Sequence, residues 1–137
     1  MNIVLDTNCL IISIAPKSPY RKVWDAFLRG DYNLCVSNEI IEEYSEVLSR
    51  NISPQVSEAI VYAILSRLNV IRKDPHFSFG LIEADKDDNK FVDCAIVANA
   101  KCIVSEDKHF RVLKNISFPK VEVLGIEEFN CYLEKWV

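Results

Sequence analysis

The 137-residue chain reads as an α/β domain of three layers, with a central, mainly parallel sheet flanked by helices. Three observations predict this class. Short apolar runs without alternation, the first being Ile3-Val4-Leu5, have the pattern of strands buried on both faces, which belong to parallel sheets. Amphipathic helical segments alternate with these runs, as a three-layer α/β arrangement requires. The composition, 50% hydrophobic and 26% charged with three glycines and five prolines, is that of a chain able to bury a core. The length fits one domain over residues 1–137 and leaves little room for a second.

Taken in order, the first strand, Ile3 to Leu5, ends at Asp6-Thr7-Asn8. Ser18-Pro19 supplies a cap followed by a proline suited to a first helical position, and Tyr20, Val23, Trp24, Phe27 and Leu28 then repeat at helical spacing before Gly30. Tyr32 to Val36 is a second strand, and Ser37-Asn38 caps a helix whose apolar residues are Ile40, Ile41, Tyr44, Val47 and Leu48. Ser53-Pro54 opens the next helix, with Val56, Ile60, Ala63 and Ile64. Leu68 to Ile71 is expected as a strand, followed by an aperiodic loop from Arg72 to Asp87. Asp88 to Ala100 reads as a helix apolar on nearly every face, Lys101 to Ser105 as a strand, and Val121 to Leu124 as the last strand. After Gly125 a terminal helix places Ile126, Phe129, Leu133 and Trp136 on one face.

The net charge of −4 excludes a protein that coats nucleic acid through bulk positive charge, although a local site can oppose the average. Five cysteines, Cys9, Cys35, Cys94, Cys102 and Cys131, form no Cys-x-x-Cys pair and read as reduced core residues. The N-terminus lacks the basic segment and cleavage site of a signal peptide, and the longest nearly apolar stretch, Cys9 to Ala15, is far short of the roughly 20 residues a membrane span needs. The expected location is cytoplasmic, with no membrane partner.

Ligands of open α/β sheets gather beyond the carboxyl ends of the strands. Asp6 follows the first strand, Asp107 follows the fourth in Ile103-Val104-Ser105-Glu106-Asp107, and Asp88 starts a buried helix whose N-terminus is expected at the same edge. Glu43 lies in the helix after the second strand. With about 100° of rotation per residue, Glu43 falls roughly 40° from the edge of that helix's apolar arc. Glu42 and Glu46 fall farther round toward solvent. The same projection aims Asp88 inward between Val92 and Ala95, with Asn89 and Asp93 on an adjacent stripe.

Carboxylates gathered without matching cations repel one another, and a divalent cation resolves the conflict. Hard oxygen donors suit Mg²⁺ or Mn²⁺, and such ions promote phosphodiester hydrolysis. Each acid taken alone also has an ordinary structural role: Asp6 as a turn residue, Asp88 as a helix cap, Glu43 as a glutamate on a polar border. Four acids at one expected sheet edge favour metal-dependent chemistry over four such coincidences.

Asp6 in Val4-Leu5-Asp6-Thr7-Asn8, Glu43 in Ile40-Ile41-Glu42-Glu43-Tyr44, Asp88 in the Asp-rich segment Asp85 to Ala95, and Asp107 in Val104-Ser105-Glu106-Asp107-Lys108 resemble, in this order and across essentially the whole chain, the PIN-domain ribonucleases. The resemblance is greatest to the compact prokaryotic branch that contains VapC-type toxins. It implies a Rossmann-like sheet and an acidic pocket for Mg²⁺ or Mn²⁺. Asp6, Glu43, Asp88 and Asp107 would be the catalytic and metal-binding acids, supported by Asn8, Asp93 and Ser105. It also implies an endoribonuclease acting on RNA, the toxin of a toxin–antitoxin pair, and an antitoxin protein as partner; a homo-oligomer, a dimer, is expected as well. Asp85, Asp87 and Asp93 compete with Asp88 for the third position. The helical pair between Ser37 and Leu68 offers apolar side chains for a dimer or antitoxin contact, and Lys17, Arg21, Lys22, Lys108, His109, Arg111 and Lys114 are candidate phosphate contacts. His109 is not read as a general base. A phosphatase of the haloacid-dehalogenase type would need a second aspartate where this chain has Asn8, and a phospho-receiver domain would need paired acids there. The remaining alternative is a catalytically inactive binding module on the same fold.

Overall fold

The computed structural model describes residues 1–83 and 85–136. The element order is β1 (Asn2–Leu5), α1 (Thr7–Ile14), α2 (Arg21–Arg29), β2 (Asn33–Val36), α3 (Asn38–Asn51), α4 (Pro54–Leu65), β3 (Val70–Arg72), α5 (Asn89–Val97), β4 (Cys102–Val104), β5 (Val123–Leu124) and α6 (Ile126–Trp136). Short 3₁₀ segments at Lys86–Asp88 and Lys108–Asn115 lead into α5 and follow β4. All strand pairings are parallel, in the order β3-β2-β1-β4-β5, so the expected parallel sheet flanked by helices is present.

This order carries the functional geometry. The chain runs outward from β1 through β2 to β3, then returns to the opposite side of β1 for β4 and β5. The strand order therefore reverses between β1 and β4, the place where open α/β sheets form a crevice at their carboxyl edge. Leu5 is in register with Val104, so Asp6 and Ser105 leave the sheet side by side.

Ile3, Val4, Leu34, Cys35, Val36, Ile103 and Val104 are all completely buried, which explains the unbroken apolar runs. Helix α5 lies against β1, β2 and β4, and α2 packs on α1 and α6. Trp24, Phe27, Tyr32 and Phe129 form a chain of ring contacts with centroids 5.3, 6.2 and 5.3 Å apart, joining α2, the start of β2 and α6. Tyr32 satisfies its buried hydroxyl by donating to the carbonyl of Val23 at 2.8 Å.

Two expected helix caps are present. Ser37 accepts from the Ile40 N–H at 3.2 Å and Ser53 from the Val56 N–H at 3.1 Å, with Pro54 in the first turn of α4. Elsewhere the boundaries differ. Helix α1 was not expected: its buried residues are Thr7, Cys9, Leu10, Ser13 and Ile14, while Ile12 is exposed, so it lacks the apolar stripe and polar face that mark a helix in sequence. Helix α2 starts at Arg21 rather than Pro19, because Ser18 uses its hydroxyl to accept from the Tyr20 N–H and its carbonyl to accept from the Arg21 N–H, closing a turn first. Strand β3 is displaced from 68–71 to Val70–Arg72, with Leu68 fully exposed. The expected helix from Asp88 to Ala100 begins as the 3₁₀ turn and ends at Val97, where Asn99 takes a positive φ of 52°. Of the cysteines expected in the core, Cys131 is instead at the surface. The expectation for Trp136 concerns a side chain outside those described.

Ile52, Tyr62, Leu65 and Leu68 are exposed on and beside the α3–α4 pair, where apolar contact residues were expected. A different residue of this pair fixes the site: buried Tyr44 donates its hydroxyl to the carbonyl of Leu5 at 2.6 Å, tying α3 to the end of β1. Tyr44→Phe removes that donor and leaves the carbonyl less satisfied, with an expected cost of about 1–2 kcal/mol. Urea denaturation of the two proteins measures this. Equal stabilities would show that the bond does not hold α3 in place.

Candidate active site

Asp6 is both the last residue before α1 and its cap. One carboxylate oxygen accepts from the Cys9 N–H at 2.8 Å, and the other accepts from the hydroxyl of Ser105. The Asp6 N–H donates to the carbonyl of Val104 at 3.1 Å, continuing the ladder one residue beyond the strand. Burial pushes the Asp6 carboxyl above its ordinary pKa, the bonds from Ser105 and Cys9 oppose this, and the charge of Asp107 adds to it.

Ser105 also links Asp6 to Asp107, because its oxygen accepts from the Asp107 N–H at 3.0 Å while its proton goes to Asp6. Glu106, between them, turns away and accepts from the Ile126 N–H at 2.7 Å at the start of α6. Gly125 makes this possible, since a Cβ there would lie 2.9 Å from the same Glu106 oxygen. Asp107 then caps the 3₁₀ segment by accepting from the His109 N–H at 2.9 Å.

That turn presents the His109 ring to the acids of the α5 entrance. Nδ1 lies 3.3 Å from Asp88, 3.4 Å from Asp107 and 4.0 Å from Asp85. Burial, followed by repulsion from Asp107 and Asp85, pushes the Asp88 carboxyl up to about 6, with His109 acting in the opposite direction.

Glu43 completes the opposite side. It is half-buried while Glu42 and Glu46 are exposed, as the helical projection required. One oxygen accepts from the hydroxyl of Thr7, the residue after Asp6, and the other meets Lys90 Nζ at 2.7 Å. Lys90 lies two residues beyond Asp88 and Thr7 follows Asp6, so the contacts and the chain itself together close a ring: Asp6, Ser105, Asp107, His109, Asp88, Lys90, Glu43, Thr7 and back to Asp6.

All four expected acids thus lie on one connected network, in which Ser105 joins Asp6 to Asp107. They do not form one tight donor set. Among the described residues, the group whose donor atoms all lie within 4.8 Å of one another is Asp85, Asp88 and His109. Two carboxylates and an imidazole fit a divalent cation such as Mn²⁺, and the carboxylates alone suit Mg²⁺. Asn8 is exposed, and Asp6 is held by Cys9 and Ser105 instead. Asp93 is buried but faces elsewhere, accepting from the Phe79 N–H at 3.1 Å and so fixing the preceding loop. Thr7 and Lys90 are not marked by any sequence pattern, and His109 is expected from the sequence only as a phosphate contact. The one usable signal for His109 is its position, two residues after a capping aspartate.

A family model for the PIN domain matches residues 2–109. Among solved structures, VapBC2 from Rickettsia felis, bound to a DNA fragment from their promoter, is similar with a TM-score of 0.61 and 20% identity, over 91% of this chain and 98% of that one. DNA-bound VapBC from Salmonella typhimurium is similar with a TM-score of 0.59 and 20% identity, over 92% and 98% of the two chains. At these identities the likeness is one of fold. No curated protein sequence matches the chain. The family match spans every residue of the ring, from Asp6 to His109, and the chain belongs to the PIN-domain family.

Proposed function

We propose that the protein is a metal-dependent endoribonuclease that hydrolyses RNA phosphodiester bonds, and that it is the toxin of a toxin–antitoxin pair. The observation that carries the catalytic reading is the closed ring at the β1/β4 switch point, which collects acids from four separate segments of the chain. Membership of the PIN-domain family supports it. The VapBC structural neighbours support an antitoxin protein as partner.

Asp85, Asp88 and His109, with Asp107 alongside, would hold Mg²⁺ or Mn²⁺. Such a cation, when bound, supplies positive charge against the phosphodiester and makes water more acidic. The chain's own residues do the rest. Ser105 and the Cys9 N–H fix the Asp6 carboxylate at the crevice floor, and Thr7 orients Glu43. Lys108, Arg111 and Lys114, in and beside the turn after Asp107, offer cations to the phosphates flanking the scissile bond.

RNA cleavage is expected with Mg²⁺ or Mn²⁺ and not in excess EDTA. Asp6→Asn and Asp88→Asn should each lower the rate at least ~100-fold while leaving the circular dichroism spectrum unchanged. Full activity in both variants, or undiminished cleavage in EDTA, would contradict the assignment. A binding module would instead retain RNA without cutting it under any metal.

The same carboxylates impose a pH dependence on the metal-free protein. Asp88 titrates at about 6 in the fold against 3.8 for its ordinary value, and Asp6 and Asp93 are raised in the same direction. The folded state therefore binds more protons than the unfolded chain between about pH 4 and 6, so stability falls as pH rises through that window. In EDTA the thermal midpoint should be higher at pH 5.5 than at pH 7.5. Added Mn²⁺ should raise the midpoint at pH 7.5, where the carboxylates are ionised. A metal-free midpoint that does not rise on acidification would contradict the site's electrostatics.

A further inference from the structure

Two acidic foci lie on and beside the ring. One is Asp85 and Asp88 with His109 and Asp107; the other is Glu43, with Glu39 and Asp87 lining the same pocket. Hydrolysis of a phosphodiester by two divalent ions places positive charge on both sides of the reacting phosphorus, with the ions about 4 Å apart. At the second focus this chain already carries a cation of its own.

Lys90 Nζ is 2.7 Å from Glu43, with the two side chains only 13% and 25% exposed. Among the described residues this is the least exposed pairing of a lysine or arginine with a carboxylate. The pairs Lys22–Glu134 and Arg50–Glu46, for comparison, lie well out in solvent. Burying an ammonium is unfavourable and adds little net stability even when the charge is paired. Its placement is therefore better explained by where it puts charge. Burial works against the charged form, but Glu43, with Asp87 and Glu39 behind it, holds the Lys90 pKa above its ordinary value. The other Glu43 oxygen is occupied by Thr7, so both are engaged within the protein.

We infer that Lys90 stands in place of a second divalent cation: its ammonium on Glu43 and one ion held by Asp85, Asp88 and His109 supply the two positive charges that face the scissile phosphate. This rests on the reading of the protein as a metal-dependent phosphodiesterase and specifies how many ions it uses. Lys90 forms no bond and loses no proton in this role; it positions and compensates charge.

The test is a count of bound Mn²⁺ by the electron paramagnetic resonance signal of the free ion, on the full chain without RNA. Wild-type protein should bind one Mn²⁺ per chain, and Lys90→Arg should also bind one. Lys90→Met, which keeps length but not charge, should bind two, the second more weakly, as Glu43, Glu39 and Asp87 become available to an ion. A role for Lys90 in fold stability alone would leave the count unchanged. Two ions in the wild type, or a single ion in folded Lys90→Met, would overturn the inference while leaving the nuclease reading intact. The wild-type count decides by itself should Lys90→Met fail to fold. No bound ion in the wild type, or RNA cleavage in EDTA, would instead overturn the metal-dependent reading beneath it.

Discussion

The parallel pairing of β1 with β4 is the constraint on which the site depends. These strands are adjacent in space and far apart in sequence, with Leu5 set against Val104. The ladder extends one bond further, from the Asp6 N–H to the Val104 carbonyl, while the Ser105 N–H donates to the Leu124 carbonyl at 2.9 Å. The Ser105 hydroxyl can therefore donate to the Asp6 carboxylate only in this register. A slip of one residue would draw Asn2 or Asp6 into the apolar stretch of the sheet and separate the pair. The fully buried side chains of Ile3, Val4, Ile103 and Val104 penalise such a slip, so apolar packing specifies a polar contact at its edge.

Around that contact the chain gathers negative charge that a stable fold would otherwise disperse. Asp6 and Asp88 both resist ionisation, for burial first and like charge second. The ring tolerates them because nearly every member has a directed partner: a backbone N–H for Asp6 and Asp107, a hydroxyl for Asp6 and Glu43, an ammonium for Glu43, an imidazole for Asp88. Glu106 is removed from the repulsion altogether by capping α6 beneath Gly125. Stability surrendered at the crevice is offset by the aromatic chain of Trp24, Phe27, Tyr32 and Phe129 and by the strands between.

Much of this was legible in the sequence where local pattern and tertiary role coincide. Unbroken apolar runs marked β1, β2 and β4; Ser37 and Ser53 marked the starts of α3 and α4; helical projection separated half-buried Glu43 from exposed Glu42 and Glu46. Helix α1 was illegible because periodicity shows only where a helix has a polar face, and apolar Ile11 and Ile12 stand where polar residues would mark one. Lys90 was illegible for another reason. Its partner is 47 residues away, and no spacing rule connects a lysine on one helix to a glutamate on another. His109 lies between these cases: its bond to Asp107 is local, but its approach to Asp88 across 21 residues exists only once β4 and α5 have docked.

The proposed divalent-ion site lies where these distant segments meet. Mn²⁺ titrated into ¹⁵N-labelled protein broadens amide resonances according to their distance from the bound ion, without requiring any substrate. The expected result is selective loss of the amides at 6–8, 85–90 and 105–109 at substoichiometric Mn²⁺, with those of α2 and the end of α6 unaffected. Broadening confined to the exposed acids of α3, Glu39, Glu42 and Glu46, or spread evenly over the surface, would contradict the claim.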